Sequence, residues 1–141
     1  MLFCMTCVLA SATDQLRDKV VIEGETWSML SAPLSLLDEE TYDALKEVLG
    51  QRQVVSSANW RGYVAYWHIG RKGLYLDKVE VMQSDGKYKE ADTKALKKAL
   101  KKYRCLGKIK AKWMTGNVRI TQGSETKSLV LKKGKLLTIG N

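Results

Sequence analysis

Residues 60–82 read WRGYVAYWHIGRKGLYLDKVEVM, and their pattern predicts a β-hairpin. Trp60–Ile69 and Leu74–Met82 are rich in apolar and aromatic residues, and the turn residues 70–73 separate them. Because side chains alternate between the two faces of a strand, every second residue of the first run shares a face. We expect this face to be buried in the core; its members are Tyr63, Ala65, Trp67 and Ile69.

On either side of this hairpin the chain predicts two helices and further short strands. Apolar stripes at helical spacing predict helices at Ser35–Leu49 and Thr93–Cys105, which Gly50 and Gly107 end. The remaining strands are predicted as a hairpin at 19–29, single strands at 108–113 and 117–121, and a final hairpin of 127–131 with 135–139 around Lys133 and Gly134. About eight short strands joined by tight turns, together with two helices, predict an α+β domain with a mainly antiparallel sheet. At this chain length we expect residues 13–141 to form a single domain.

Positive charge is concentrated in the C-terminal third of the chain. Residues 1–93 carry a net charge of −4, whereas residues 94–141 hold fourteen basic residues and one acid, Glu125. Nine basic residues and no acidic one lie between Lys94 and Lys112. Such asymmetry indicates an anionic partner.

The second predicted helix carries six of these cations opposite its apolar stripe. The cations are Lys94, Lys97, Lys98, Lys101, Lys102 and Arg104. No acid lies one helical turn away, so neighbouring lysines repel one another by about 0.2–0.5 kcal/mol per pair. We interpret this side of the helix as a docking surface for an anionic partner; a solvated helix face is the alternative.

The strand that follows shows the same division. Three lysines alternate with three apolar residues, so the lysines share one side of the strand. These lysines are Lys108, Lys110 and Lys112. With the helix they predict a single basic face, and lysines that only protect a sheet edge from aggregation are the alternative.

The composition of this face favours an acidic protein or another diffuse anion over nucleic acid. Only Arg104 and Arg119 lie beyond residue 93, and arginine is the residue that makes bidentate contacts to phosphates and bases. The chain has no zinc-finger spacing, helix-turn-helix pattern or aromatic RNA-recognition motif. A nucleic-acid-binding domain therefore remains the alternative function.

Tyr66 and His68 form a candidate aromatic surface on the second face of the first hairpin strand. A strand covered on both sides is the alternative interpretation. His68 is the only histidine, and Asp77 or Glu80 across the hairpin would be the orienting group of a general base. Because no nucleophile motif or phosphate-binding loop accompanies it, we expect no catalytic residue, metal or cofactor.

Residues 1–12 predict a secretory signal. Leu2–Ala10 is a nearly uncharged apolar run, and Ala10–Ala12 is a small-x-small cleavage pattern before polar residues. The run lacks a preceding Lys or Arg and is short, so an apolar N-terminal strand is the alternative. It is too short to span a bilayer, which takes about 20 apolar residues. A signal implies a periplasmic or secreted protein, and its absence a cytoplasmic one.

Five short motifs are spread over the chain: GETW at 24–27, ANWRGY at 58–63, LYL at 74–76, GKI at 107–109 and WMTG at 113–116. Together they resemble small exported bacterial proteins of uncharacterised function. The resemblance implies export and one compact domain, and it assigns no active site. With the charge pattern, it leads us to expect an exported, non-catalytic protein that binds an acidic partner, for example as an immunity or inhibitor protein.

Overall fold

The computed structural model describes residues 17–50, 62–71 and 73–141. They form one sheet, two α-helices and two 3-10 helices. The strands are β1 (Lys19–Ile22), β2 (Glu25–Met29), β3 (Tyr63–Gly70), β4 (Gly73–Met82), β5 (Tyr88–Glu90), β6 (Arg104–Cys105), β7 (Lys108–Lys110), β8 (Gly116–Gln122), β9 (Glu125–Lys132) and β10 (Lys135–Gly140). The helices are α1 (Glu39–Leu49) and α2 (Thr93–Ala99), with 3-10 helices at Pro33–Leu36 and Lys101–Tyr103.

The strands lie in the order β10-β9-β8-β2-β1-β3-β4-β7-β6. The short strand β5 is not part of this order and pairs with β4. All the pairings in the described part of the chain are antiparallel except that of β1 with β3. The α+β class with two helices is thus confirmed. The prediction of short antiparallel strands holds only in part, because one pairing is parallel and β4 runs for 10 residues.

The sheet curls until the turn between β9 and β10 meets the start of β4. The amide of Leu74 donates to the carbonyl of Gly134 at 3.0 Å, and the amide of Gly134 donates to the carbonyl of Met114 at 2.8 Å. Gly134 has a φ of 79°, and a Cβ built there would lie 2.6 Å from the carbonyl oxygen of Ala111. This close backbone approach requires glycine at position 134.

The core lies between one face of the sheet and the two helices. The expected face of β3 is confirmed, since Tyr63, Ala65 and Trp67 are buried and Ile69 packs against them. The helices and the residue that follows α2 contribute buried leucines to the same cluster, which are Leu45, Leu49, Leu96 and Leu100. The side chains of α1 and α2 that point away from these leucines therefore face solvent on the helical side of the molecule.

The second helix differs from the sequence prediction of Thr93–Cys105. The α-helix ends at Ala99, a 3-10 helix follows, and Arg104–Cys105 pairs with β7 as an edge strand. The two-residue turn Leu106–Gly107 has positive φ at both positions, which is typical of a tight hairpin. This hairpin and the burial of Tyr103 override the local helical pattern.

Two further boundaries differ from the prediction, and one strand is additional. The first helix begins at Glu39 rather than Ser35, because Asp38 caps it and Pro33–Leu36 forms a 3-10 helix. The strand predicted at 108–113 is only β7, and β5 was not predicted. Trp60 and the signal predicted at residues 1–12 lie outside the described residues.

Candidate functional site

We call residues 94–104, which include most of α2 and the 3-10 helix after it, the lysine-rich segment. Asp38 attaches this segment to the start of α1. The side chain of Asp38 accepts hydrogen bonds from the amide and the hydroxyl of Thr41, at 3.1 and 2.8 Å. The hydroxyl of Tyr103 donates to Oδ1 of the same carboxylate at 2.6 Å, and Nζ of Lys102 lies 3.7 Å from it. One residue thus caps α1 and holds the end of the 3-10 helix after α2.

The electrostatics of this attachment follow from its hydrogen bonds. The bond from Tyr103, followed by those from Thr41, holds the pKa of Asp38 well below its usual range. Burial, together with the bond to Asp38, raises the pKa of Tyr103 to about 12. Asp38 is therefore charged and Tyr103 neutral at physiological pH. The hydrogen bond requires these two states, because the hydroxyl donates and the carboxylate accepts.

Aromatic packing connects the same attachment to the core. The Tyr103 ring lies 4.7 Å from the ring of Trp113, which meets the ring of Trp67 edge-on at 6.1 Å. Nε1 of Trp113 donates to the carbonyl of Pro33 at 2.8 Å. The lysine-rich segment is thus fixed in position, although its lysines are at the surface.

The predicted lysines of α2 and the 3-10 helix lie on the solvent side of the helical layer. Lys94, Lys98, Lys101 and Lys102 are exposed, and Lys97 is half-buried. Among the described residues, only Lys102 of these five has a carboxylate within 4.0 Å. Four positive charges are therefore not neutralised by an ion pair within this part of the chain.

The predicted lysines of β7 point the other way. Lys110 is opposite Tyr75 of β4, and Nζ of Lys108 lies 5.8 Å from the centroid of the Tyr75 ring. This is the outer face of the sheet, whereas Ile109 faces the core and the helices. The structure thus divides the predicted single basic face into two surfaces, because helix and strand pack through their apolar sides and their lysines point apart. Arg104 is exposed in the edge strand β6, and Lys112 is exposed in the turn after β7.

A groove of about 560 Å³ lies on the surface between α1 and α2. We call it the interhelical groove; its lining residues are Glu40, Thr41, Ala44, Glu47, Val48, Ala95, Lys98, Ala99, Lys101 and Lys102. Two glutamates stand on the α1 side, three lysines on the other side, and mostly small side chains form the floor. The spacing of Glu40, Ala44 and Glu47 is that of one helix face, but the sequence does not show which helix lies beside it.

Tyr66 and His68 lie together on the outer face of the sheet, both half-buried. The hydroxyl of Tyr66 donates to Glu80 at 2.8 Å, and burial followed by this bond raises the pKa of Tyr66 to about 12. Nδ1 of His68 lies 2.6 Å from Oδ1 of Asp77, and the His68 ring stacks on Tyr75 with centroids 5.4 Å apart. Asp77, rather than Glu80, is therefore the carboxylate that would orient His68.

No group of three or more His, Cys, Asp or Glu residues within the described ranges could hold a metal ion. The thiol of Cys105 is free and half-buried. None of the helices in residues 17–50, 62–71 and 73–141 is long and apolar enough to cross a membrane.

No protein-family model, curated protein or solved structure matches the chain.

Proposed function

We propose that the protein binds an acidic protein partner through the exposed lysines of α2 and the 3-10 helix, and that it is a binding protein rather than an enzyme. The observation that carries this proposal is the set Lys94, Lys98 and Lys101, which are exposed and have no carboxylate within 4.0 Å among the described residues. Their charge is not used within the fold. Charge complementarity of this kind mainly raises the association rate and the specificity, and salt weakens it.

An inhibitor or immunity protein that neutralises an acidic enzyme is one specific form of this function.

Export belongs to the same proposal and is supported by the sequence of residues 1–12 alone. Mass spectrometry of the natively expressed protein tests it: a chain that begins at Thr13 supports export, and an intact Met1 contradicts it.

The binding proposal is tested with a triple variant, Lys94→Glu, Lys98→Glu and Lys101→Glu. Lys102 is left unchanged, because a carboxylate there would lie beside Asp38 and disturb the cap of α1. The matched control is Lys87→Glu, Lys132→Glu and Lys135→Glu, which makes the same change in net charge at exposed positions elsewhere. Circular dichroism confirms that both variants are folded.

The probes are poly-L-glutamate and a DNA duplex, each titrated at two salt concentrations. We expect poly-L-glutamate to bind the native chain and the control alike, and the triple variant at least about tenfold more weakly. Equal affinity of the triple variant and the control would contradict the proposal. Tighter binding to DNA, with a steep dependence on salt, would instead support the nucleic-acid-binding alternative.

A further inference from the structure

We propose that the interhelical groove seats an amphipathic α-helix of the acidic partner. This inference rests on the proposed function and names the form in which the partner presents its acidic residues. The occupant has an apolar stripe that lies on the floor of the groove, carboxylates along the edge that faces Lys98 and Lys101, and cations along the edge that faces Glu40 and Glu47.

The floor of the groove fits such a stripe. Ala44, Ala95 and Ala99 are half-buried, and their small side chains leave room for larger apolar side chains of an occupant. At a rise of 1.5 Å per residue, the 11 residues of α1 form a wall about 16 Å long, which equals about three helical turns. A helix in a groove of this length is held by apolar side chains at i, i+3 or i+4, and i+7.

The charges on the two walls of the groove indicate the charge pattern of the helix that would bind there. Glu40 and Glu47 form no ion pair with Lys98, Lys101 or any other residue of the described chain, so the walls do not neutralise each other. An occupant with opposite charges on its two edges can pair with both walls. A uniformly acidic ligand such as DNA would face Glu40 and Glu47 on one side, and repulsion there would weaken its binding.

The attachment at Asp38 fixes the lysine side of the groove to the start of α1. The hydrogen bond between Tyr103 and Asp38 fixes the end of the lysine-rich segment at the start of α1. Val48, at the other end of α1, also lines a second cavity of about 210 Å³ beside Ala91. The two cavities therefore adjoin at Val48, on the side where a longer helix would extend.

The test uses synthetic helical peptides of about 18 residues, because shorter isolated helices are marginal in water. The first peptide has a Leu and Ala stripe with Glu along one edge and Lys along the other. The second has the same stripe with Glu along both edges, and the third is a scrambled form of the first. Binding to the full chain is followed by amide chemical shifts and by fluorescence anisotropy.

We expect the first peptide to bind saturably, with shift changes centred on Ala44, Val48, Ala95 and Ala99, and the scrambled peptide not to do so. The variant Ala44→Trp, which fills the floor, should weaken this peptide at least about tenfold. The matched control is Leu106→Trp, at a residue that is 91% exposed and outside the groove. Ala95→Trp is a second, independent floor variant should the first unfold.

A charge exchange gives the sharpest outcome. The double variant Glu40→Lys and Glu47→Lys should reverse the order of affinities, so that the peptide with Glu on both edges becomes the tighter ligand. Absence of saturable binding, shift changes outside the groove, or an unchanged order in the double variant would each overturn the inference.

The inference about the groove and the proposed binding through Lys94, Lys98 and Lys101 can fail separately. If Ala44→Trp leaves the affinities of both poly-L-glutamate and the first peptide unchanged, the inference about the groove is refuted, and the proposed binding through these lysines is unaffected. If the triple lysine variant still binds poly-L-glutamate as the control does, the proposed function itself fails.

Discussion

Tyr103 donates a 2.6 Å hydrogen bond to the Asp38 carboxylate, 65 residues earlier in the chain. This bond joins the N-terminus of α1 to the segment that carries Lys101 and Lys102. It therefore fixes the end of this segment, which supplies two lysines of the interhelical groove, to the start of α1. The same carboxylate caps α1, so both contacts depend on one residue.

The first prediction concerns this bond. We expect Tyr103→Phe to lower the free energy of unfolding by about 1.5–3 kcal/mol, because the buried ring is kept and only a hydrogen bond to a charged carboxylate is lost. Denaturant unfolding followed by fluorescence measures the change. Tyr42→Phe is the matched control, since Tyr42 is a half-buried tyrosine of α1 with no hydrogen bond from its hydroxyl in the described structure. Equal destabilisation by the two substitutions would contradict the role of the bond.

The second prediction concerns the closure of the sheet at Gly134. We expect Gly134→Ala to destabilise the protein far more than Gly24→Ala, although both glycines have a φ near 80°, at 79° and 82°. Positive φ alone costs about 1–2 kcal/mol for a residue with a Cβ. At Gly134 the new Cβ would also lie 2.6 Å from the carbonyl oxygen of Ala111, whereas nothing lies within 4 Å at Gly24.

Thermal unfolding of the two alanine variants measures this difference. Loss of the closure should also expose the amide of Leu74, which donates to Gly134, so faster hydrogen exchange at Leu74 in Gly134→Ala is a second readout. Melting temperatures that fall equally in both variants would show that the backbone approach at Gly134 contributes nothing.

The local features of the fold could be predicted from the sequence. Alternation along residues 63–69 identifies the buried face of β3, because a strand's period of two depends only on its own residues. Gly50 ends α1 in the left-handed conformation, as expected of a glycine after an apolar helical stripe. Short turns likewise define the hairpin of β1 with β2.

Long-range features could not be predicted in the same way. The parallel pairing of β1 with β3 joins residues 47 positions apart, and no local pattern specifies it. The run 93–105 has the spacing of one helix, but Tyr103 and the hairpin of Arg104–Cys105 with β7 end that helix at Ala99.

The division of the basic residues has a simple physical reason. The apolar sides of α2 and β7 face the same core from opposite directions, as Leu96 and Ile109 show. Two elements that pack through their apolar sides must point their polar sides apart. The sequence therefore predicts on which side of its own element Lys98 or Lys108 lies. It does not predict that the two elements point these sides in the same direction. Glu40 and Glu47 were missed because the sequence does not show that α1 is the neighbour of α2.

The third prediction concerns the pKa of Tyr66 on the outer face of the sheet. Burial is the first cause of its rise to about 12, and the bond to Glu80 is the second. We therefore expect Glu80→Gln to lower the pKa of Tyr66, but not to the ordinary value of about 10, because the burial remains. The chemical shift of the ring carbon bonded to the hydroxyl, followed against pH, measures this pKa directly.

The same shift predicts a dependence of stability on pH. Because the pKa of Tyr66 is higher in the folded than in the unfolded chain, its contribution to stability is complete below about pH 10 and is lost as the pH rises through about 12. Glu80→Gln should therefore lose stability less steeply than the native chain above about pH 10. Tyr66→Phe serves as the control, because it has no hydroxyl to titrate at this position and should lack this contribution to the alkaline slope. A slope that is equally steep in Glu80→Gln would show that the carboxylate does not act on Tyr66.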